Sequence, residues 1–288
     1  MENQQDEGIS MSNSAPALPE MPHNALPREI APGVFWLGEC SPVHYAGKWL
    51  HTYNSAFMVV GEKFAAMVET GIPSVGNVVI AQVERILEER GVPLKYIFVT
   101  HSEMSHCGSV GRLLRRYPEA HTYGEISDLH LVYPGFEDRI HFCEPGETSD
   151  LGGREILTVE SVFRDLIHSR WFLDTKERVL FPGDGFAYSH VHDDKECGLF
   201  AEEAPKVDIP TQMQRFATLA FHWTGYVDIE PYVQRLDDLF VELGVEVVAP
   251  THGLPIRDAK NSMPIFREGF RGMSDIHATE LDIEIYDI

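Results

Sequence analysis

Residues 97–106 read IFVTHSEMSH, an apolar run that leads into two histidines and a glutamate. The run KYIFVT is short and rich in aromatic and β-branched residues, which predicts a buried strand. His101 and Glu103 are two residues apart, so in an extended segment their side chains point the same way. A turn can then bring His106 round to face them. The stretch therefore predicts a group of polar side chains at a strand end, where functional residues collect.

Three more positions have the same character. His168 ends an apolar run in DLIHSRW, Asp184 follows a strand-like run in LFPGDGFA, and His252 follows another in VVAPTHG. Each run places a metal-type ligand at a predicted strand exit. Four histidines and two carboxylates from four strand ends are expected to converge at one rim, which predicts a metal site.

The order of predicted elements indicates the fold class. Strand-like runs come first, then a helical pattern with inward Val75, Val79 and Val83 that ends before Gly91. In the second half, the run before His168 is taken as strand-like, residues 189–228 as irregular, and Pro231 as the start of a helix. Strands and helices in this order predict an α+β sandwich of two mixed sheets with helices outside.

Composition excludes several classes of partner. The formal net charge of −22 disfavours nucleic acid and anionic membranes. No segment approaches the roughly 20 apolar residues of a transmembrane helix, and no secretory signal is recognisable. No CxxC pair occurs among the four cysteines, which favours a reducing cytoplasm over a disulfide framework; they are Cys40, Cys107, Cys143 and Cys197.

The chain is predicted to have one domain between two extensions. Residues 1–28 are polar and rich in Pro, Ser and Asn, as expected of a flexible arm, residues 29–272 hold the folded domain, and residues 273–288 form an acidic extension. Either extension can contact another subunit, so a homo- or hetero-oligomer is expected.

The ligand pattern from residue 30 to 257 resembles the metallo-β-lactamase superfamily, whose signature is HxHxDH followed by a distant His, Asp and His. Here the pattern reads HxExSH, with Ser105 before His106, and VETG at 68–71 is similar to the family's DTG turn. The resemblance implies a four-layer αββα sandwich with a binuclear metal site at its rim.

Glu103 makes the pattern similar to the diiron branch, typified by flavodiiron proteins. That resemblance implies two divalent ions, with iron first and zinc or manganese next. It also implies ligands in two groups and a bridging Asp184: His101, Glu103 and His168 in one, His106 and His252 in the other. Ser105 departs from the branch's Asp, which leaves an open position or a partly empty second site. No flavodoxin-like domain follows the sandwich in this sequence.

Three functions remain open at this stage. The first is a hydrolase that uses a metal-bound hydroxide on a small ester, lactone, thioester or activated aryl ether, with Asp184 and Ser105 as catalytic residues. The second is a diiron protein that binds or reduces O2 or NO with electrons from a separate partner. The third is a supporting subunit of a related active chain, and a metal-free scaffold is a further alternative. The run SHVHDD at 189–194 is either a second metal patch or a solvated loop.

Overall fold

The computed structural model describes residues 25–45, 48–125, 128–192, 196–204 and 206–275, whose strands form two sheets and one hairpin. The first sheet contains β1 (Arg28–Ala31), β2 (Val34–Leu37), β5 (Ala56–Val60), β6 (Ala65–Val68), β7 (Leu94–Phe98), β8 (His121–Gly124) and β9 (Ile140–Phe142). The second sheet contains β10 (Thr148–Asp150), β11 (Glu155–Glu160), β12 (Arg170–Asp174), β13 (Val179–Phe181) and β14 (Val247–Val248). The hairpin pairs β3 (Cys40–Tyr45) with β4 (Lys48–Tyr53).

Helices cover the outer faces of the two sheets. The α-helices are α1 (Gly76–Arg90), α2 (Met104–Cys107), α3 (Val110–Arg116), α4 (Leu129–Val132), α5 (Ile209–Ala220), α6 (Glu230–Leu243) and α7 (Ala259–Gly272). Short 3-10 helices lie at Pro73–Val75, Glu137–Arg139, Ala201–Glu203, His222–Tyr226 and Met273–Asp275. None of the helices in these described ranges is long and apolar enough to cross a bilayer.

Alternating side chains on the central strands create the layers. Phe57 on β5 belongs to the core between the two sheets, whereas its neighbour Met58 belongs to a second core. That second core also contains Val79 of α1. Because successive strand residues point to opposite faces, each central strand joins two layers. The result is the predicted αββα sandwich.

Aromatic contacts join the two sheets through the inner core. The ring centroids of Phe57 and Phe181 are 5.4 Å apart, and those of Phe98 and Phe172 are 4.9 Å apart. All four rings are buried. These contacts join β5 to β13 and β7 to β12, and so hold the rim ends of the two sheets together.

Two helices end as their sequences predict. α1 stops at Gly91 with a φ of 67°, and α6 stops at Gly244 with a φ of 61°. Both glycines adopt the left-handed conformation that commonly closes a helix.

Two predictions about the second half of the chain are wrong. Residues 161–169 form no regular strand, and β12 begins only at Arg170. Residues 189–228 are not irregular throughout, because Ile209–Ala220 form α5, which begins with a side-chain cap from Asp208 and a proline in its first turn.

The predicted extensions lie mostly outside the described residues. Residues 1–24 and 276–288 fall outside them, so the arm and the acidic extension stay predictions. The described chain already includes a buried Leu26, and β1 begins at Arg28. At the other end Met273 is buried.

Candidate metal centre

Strand ends from both sheets place the candidate ligands at one rim. β6 and β7 are parallel, so the residues that follow them, Glu69 and His101, lie at the same edge of the first sheet. β13 and β14 are also parallel, and they lead into Asp184 and His252. Because β12 runs antiparallel to β13, the loop before β12 reaches this rim as well.

A close approach between the sheets at the rim depends on Gly183. This glycine has a φ of 56°, and a Cβ atom built on it would lie 2.5 Å from Thr100 Oγ1. A side chain at this position would therefore push the Asp184 turn away from the end of β7. The missing side chain lets residues of both sheets share one site.

Nitrogen and oxygen donors from the two sheets face one another at short range. The distance from His101 Nε2 to Asp165 Oδ2 is 3.0 Å, and that from His106 Nε2 to Asp184 Oδ1 is 3.2 Å. The same Asp184 oxygen is 3.6 Å from His252 Nε2. Asp184 therefore stands between histidines from different strand ends, the position that a bridging carboxylate requires.

Glu103 completes this cluster from the solvent side. One of its carboxylate oxygens lies within 4.8 Å of ligand atoms of His101 and His106, although the residue itself is exposed. We call His101, Glu103, His106, Asp165, Asp184 and His252 the rim site.

A cavity of about 570 Å³ opens onto the rim site. Ligand residues and Ser105 line one part of it, and larger apolar side chains line another. The lining includes Asn54, Glu103, Ser105, Asp165, Asp184, Phe216, Leu219, Trp223 and His252. Four of the six rim-site residues are thus accessible to a small molecule, as a catalytic metal centre requires.

Glu69 and Thr100 support His106 from behind. His106 Nδ1 lies 3.3 Å from Glu69 Oε1, and the Thr100 hydroxyl donates a hydrogen bond to that same oxygen. A carboxylate behind the second ring nitrogen fixes the orientation of a metal-binding histidine. Glu69 has a φ of 63°, unusual for a residue with a side chain, and such strain is often found at functional sites.

Neighbouring charges at the rim shift the pKa values of its histidines and aspartates. Burial tends to lower the pKa of His106, but the carboxylates of Glu69 and Asp184 outweigh burial and raise this pKa well above its usual value. Burial likewise opposes a low pKa for the two aspartates, yet His106 lowers the pKa of Asp184 and His101 lowers that of Asp165. Burial lowers the pKa of His252. Both aspartates are therefore held as carboxylates, the form that binds cations.

The donor set fits two divalent cations. His101 Nε2, His106 Nε2 and Asp184 Oδ1 are buried, and their contacts to oppositely charged side chains at 3.0–3.2 Å do not have good hydrogen-bond geometry within the described ranges. Bound cations would satisfy these atoms better. Four carboxylates, those of Glu69, Glu103, Asp165 and Asp184, surround the three histidines. Their four negative charges balance the four positive charges of two divalent cations.

Five of the six predicted ligands come together, but His168 does not. Its side chain is 52% exposed, and its Nδ1 lies 3.2 Å from Glu125 rather than near the cluster. Asp165 faces His101 instead and is only 7% exposed. Ser169 donates a hydrogen bond to the Asp165 carboxylate at 3.0 Å and holds it in place.

The irregular backbone of residues 161–169 explains this difference. If the run before His168 were a strand, its last residue would enter the rim, but the segment is a loop. Trp223 Nε1 donates to the Arg164 carbonyl at 2.7 Å and anchors the loop just before Asp165. The sequence offered one signal for Asp165, a carboxylate three positions before a predicted ligand. Glu69 was noticed only as part of a turn.

Comparison with known proteins gives a consistent result. A family model described as "Metallo-beta-lactamase superfamily" matches residues 51–252. The chain is 26% identical over 268 residues to a coenzyme F420H2 oxidase of Methanothermobacter marburgensis, covering 88% of this chain and 64% of the oxidase. It is 25% identical over 247 residues to a nitric oxide reductase of Moorella thermoacetica, covering 79% of this chain and 57% of the reductase. The chain thus spans about 60% of the length of these relatives.

Solved structures show the same fold. Rubredoxin oxygen:oxidoreductase from Desulfovibrio gigas superposes with a TM-score of 0.68 at 17% identity, over 86% of this chain and 61% of that one. The flavodiiron protein from Giardia intestinalis gives a TM-score of 0.68 at 14% identity, over 88% and 60% of the two chains.

These relatives overturn the first functional prediction. The sequence led to a hydrolase, whereas relatives that match it over most of its length include an oxidase and a nitric oxide reductase. The hydrolase assignment is wrong, and so is zinc as part of it. The physical reason is that the ligand pattern alone does not distinguish a metal-bound hydroxide from a redox-active metal pair.

Proposed function

The chain belongs to the metallo-beta-lactamase superfamily, and from that premise we propose that it is a diiron protein that binds and reduces O2 or NO. One observation carries this proposal: the rim site joins three histidines to three carboxylates, those of Glu103, Asp165 and Asp184, beside an open cavity. Mixed imidazole and carboxylate ligands with open positions are typical of non-haem iron that reacts with O2.

The proposed ligand set differs from the sequence prediction at one position. His101, Glu103 and Asp165 would hold one iron, with Asp165 in the place predicted for His168. His106 and His252 would hold a second iron, and Asp184 lies near enough to both groups to contribute to each. The second iron would have fewer protein ligands, because Ser105 is neutral and a poor donor.

The bound irons supply two electrons and open coordination positions for a diatomic molecule. Reduction of O2 to two waters needs four electrons and four protons, and reduction of two NO to N2O and water needs two of each. A low-potential one-electron redox protein is therefore proposed as the partner that supplies the remaining electrons. Whether partner and chain form an oligomer stays a prediction.

Residues of this chain confine and orient the diatomic molecule. Phe216, Leu219 and Trp223 give the cavity an apolar wall, which suits small, weakly polar molecules better than charged ones. Ser105 lines the same cavity, where its hydroxyl would donate a hydrogen bond to a diatomic molecule. Glu69 keeps the His106 ring in the orientation that directs Nε2 to the site.

Single-turnover gas uptake tests this function. The protein is loaded with Fe2+ under anaerobic conditions, desalted and mixed with stoichiometric O2 or NO, and the dissolved gas is followed with an electrode. The expected result is rapid uptake of about one half to one O2 per chain, because the two electrons of two ferrous ions reduce half an O2 to water or one O2 to hydrogen peroxide. Asp184→Asn should slow uptake by about 100-fold. Residues that only orient metal ligands have effects of roughly 10–100-fold, and the loss of a direct ligand is expected to reach the upper end of that range.

Glu242→Gln is the matched control, since it also changes a carboxylate to an amide but at an exposed position on α6. It should leave uptake unchanged. If the wild-type protein takes up neither gas faster than Asp184→Asn, the proposed function is wrong.

A further inference from the structure

A second cluster of metal-type side chains lies outside the rim site. Cys40, His51, His192 and Cys197 each place one ligand atom within 4.8 Å of those of the other three. Cys40 Sγ is 3.2 Å from His192 Nε2, and Cys197 Sγ is 3.5 Å from His51 Nδ1. We call these four residues the hairpin site. None of them lines the cavity above the rim site.

Strand register places two of the four side chains on one face of the hairpin. Cys40 on β3 is opposite Tyr53, and Pro42 is opposite His51 on β4. Positions 40 and 42 share a face because side chains alternate along a strand, so Cys40 and His51 are diagonal neighbours. Their convergence follows from the backbone and needs no unusual rotamer.

A backbone bridge adds His192 to the cluster, and Cys197 joins it from further along the chain. The amide of His51 donates to the His192 carbonyl at 2.8 Å, and the amide of His192 donates to the His51 carbonyl at 2.9 Å. This pairing places the His192 ring on the same side as His51. Cys197 lies five positions further along the chain and returns to the cluster from the segment after Asp184.

The distances match those around one tetrahedral ion. Zn–S bonds of about 2.3 Å and Zn–N bonds of about 2.0–2.1 Å at tetrahedral angles separate a sulfur from a nitrogen ligand by roughly 3.5 Å. The two sulfur–nitrogen distances in the hairpin site are 3.2 Å and 3.5 Å. A disulfide would instead join the two sulfurs, and all four cysteines, each within the described residues, are outside disulfides.

The surroundings of the site are those of a closed one. The exposed fractions of Cys40, His51 and His192 are 8%, 4% and 2%, and Cys197 is partly buried. Two thiolates and two imidazoles complete a tetrahedron and leave no position for a substrate, the pattern of structural zinc. We propose that the hairpin site binds one Zn2+ ion through Cys40, His51, His192 and Cys197, separate from the diiron function proposed for the rim site.

The zinc ion would fasten the β3–β4 hairpin to the segment that follows Asp184. Tyr53, next in the strand face after His51, accepts a hydrogen bond from the Gly198 amide at 2.5 Å and has a backbone hydrogen bond to the His252 ring. The amide of Ser55 donates to the Thr251 carbonyl at 2.9 Å. The hairpin therefore abuts one ligand of the rim site, and an ion in the hairpin site holds that contact together.

Cobalt substitution tests the site with a specific signal. Chelator-stripped full-length protein is titrated with Co2+ while its visible and near-ultraviolet absorption is followed. The expected result is thiolate-to-cobalt charge-transfer absorption and the intense bands of tetrahedral Co2+, saturating at one ion per chain. The rim site contains no cysteine, so cobalt bound there gives no thiolate absorption. Elemental analysis of the protein as purified should find one zinc per chain.

Variants decide which residues hold the ion. The double variant Cys40→Ser and Cys197→Ser should lose the thiolate absorption and at least nine-tenths of the zinc but keep its iron. Cys143→Ser, which also removes a buried thiol, should keep zinc and signal. His51→Gln provides a second test if the double variant does not fold, and it should weaken zinc binding. Wild-type protein without the cobalt–thiolate signal, or with Cys40 and Cys197 joined in a disulfide by mass spectrometry, overturns the proposal.

Discussion

The rim site and the hairpin site draw on the same kinds of strand-end and loop residues yet have opposite designs. The rim site has three carboxylates, three histidines and a cavity of about 570 Å³ beside it. The hairpin site has two cysteines, two histidines and little exposure. Hard oxygen donors and open positions suit redox iron, and soft sulfur donors in a closed tetrahedron suit zinc.

This difference teaches that the position of a cluster in the fold determines its use. The rim site lies where strand ends of both sheets meet and where no layer covers it. The hairpin site lies where the β3–β4 hairpin meets the residues after Asp184, and three of its four side chains are buried. The open location suits a reactive centre, and the buried location suits an ion that stabilises the fold.

The largest expected difference between the two sites is in stability. Loss of an ion held at 1,000 times its dissociation constant lowers the free energy of unfolding by about 4 kcal/mol. The double variant Cys40→Ser and Cys197→Ser should show a loss of this size in chemical denaturation. Glu103→Gln, at an exposed position of the rim site, should change the free energy of unfolding of iron-free protein by less than about 1 kcal/mol.

Cys143→Ser is the control for this experiment and should cost about 1 kcal/mol for burying a hydroxyl in place of a thiol. Equal losses in the double cysteine variant and in Glu103→Gln would contradict the division into a structural and a reactive site.

The next effect concerns the ligand that the loop supplies. Asp165→Ala should weaken iron binding at least about 10-fold, because even residues that only orient ligands have effects of that size. His168→Ala should change iron binding less than about twofold, since this half-exposed ring pairs with Glu125. The dissociation constants are measured by competition with a coloured ferrous chelator. The reverse order would show that His168 turns inward when iron binds.

The smallest effect concerns the open position at Ser105. Ser105→Asp adds a carboxylate beside the second iron and should tighten its binding by about 10-fold, a gain of roughly 1.4 kcal/mol. The same change should slow O2 uptake, because the added ligand occupies the open position. Ser105→Ala keeps the position open and should leave iron affinity unchanged. Faster uptake in Ser105→Asp would show that the second iron is underloaded in the wild type.

The sequence predicted the layers of the fold, and it singled out five of the six residues that the structure brings together at the rim. The helix end at Gly91 and the strand before His101 could be predicted because nearby residues in the sequence determine both. Asp184 and His252 follow strands as well, so a local pattern locates them. The αββα arrangement then follows from the order of elements.

The sequence did not predict Asp165 or the hairpin site, and the reasons are physical. Asp165 lies in a loop whose course depends on contacts to distant residues, such as the hydrogen bond from Trp223 to Arg164. The four residues of the hairpin site are spread from 40 to 197 and contain no CxxC pair. Only His192 lay in a stretch that the sequence marked as a possible metal patch. Tertiary contacts, not local patterns, bring these side chains together.

The most direct test of the diiron assignment is anomalous X-ray scattering from crystals of the full chain loaded with Fe2+ under anaerobic conditions and measured at the iron and zinc absorption edges. We expect two iron peaks about 3.5–4 Å apart at the rim site, with Asp165 and Asp184 as ligands. We also expect one zinc peak among the four hairpin residues. A rim site without iron, or with a single metal ion that neither aspartate contacts, would contradict the account.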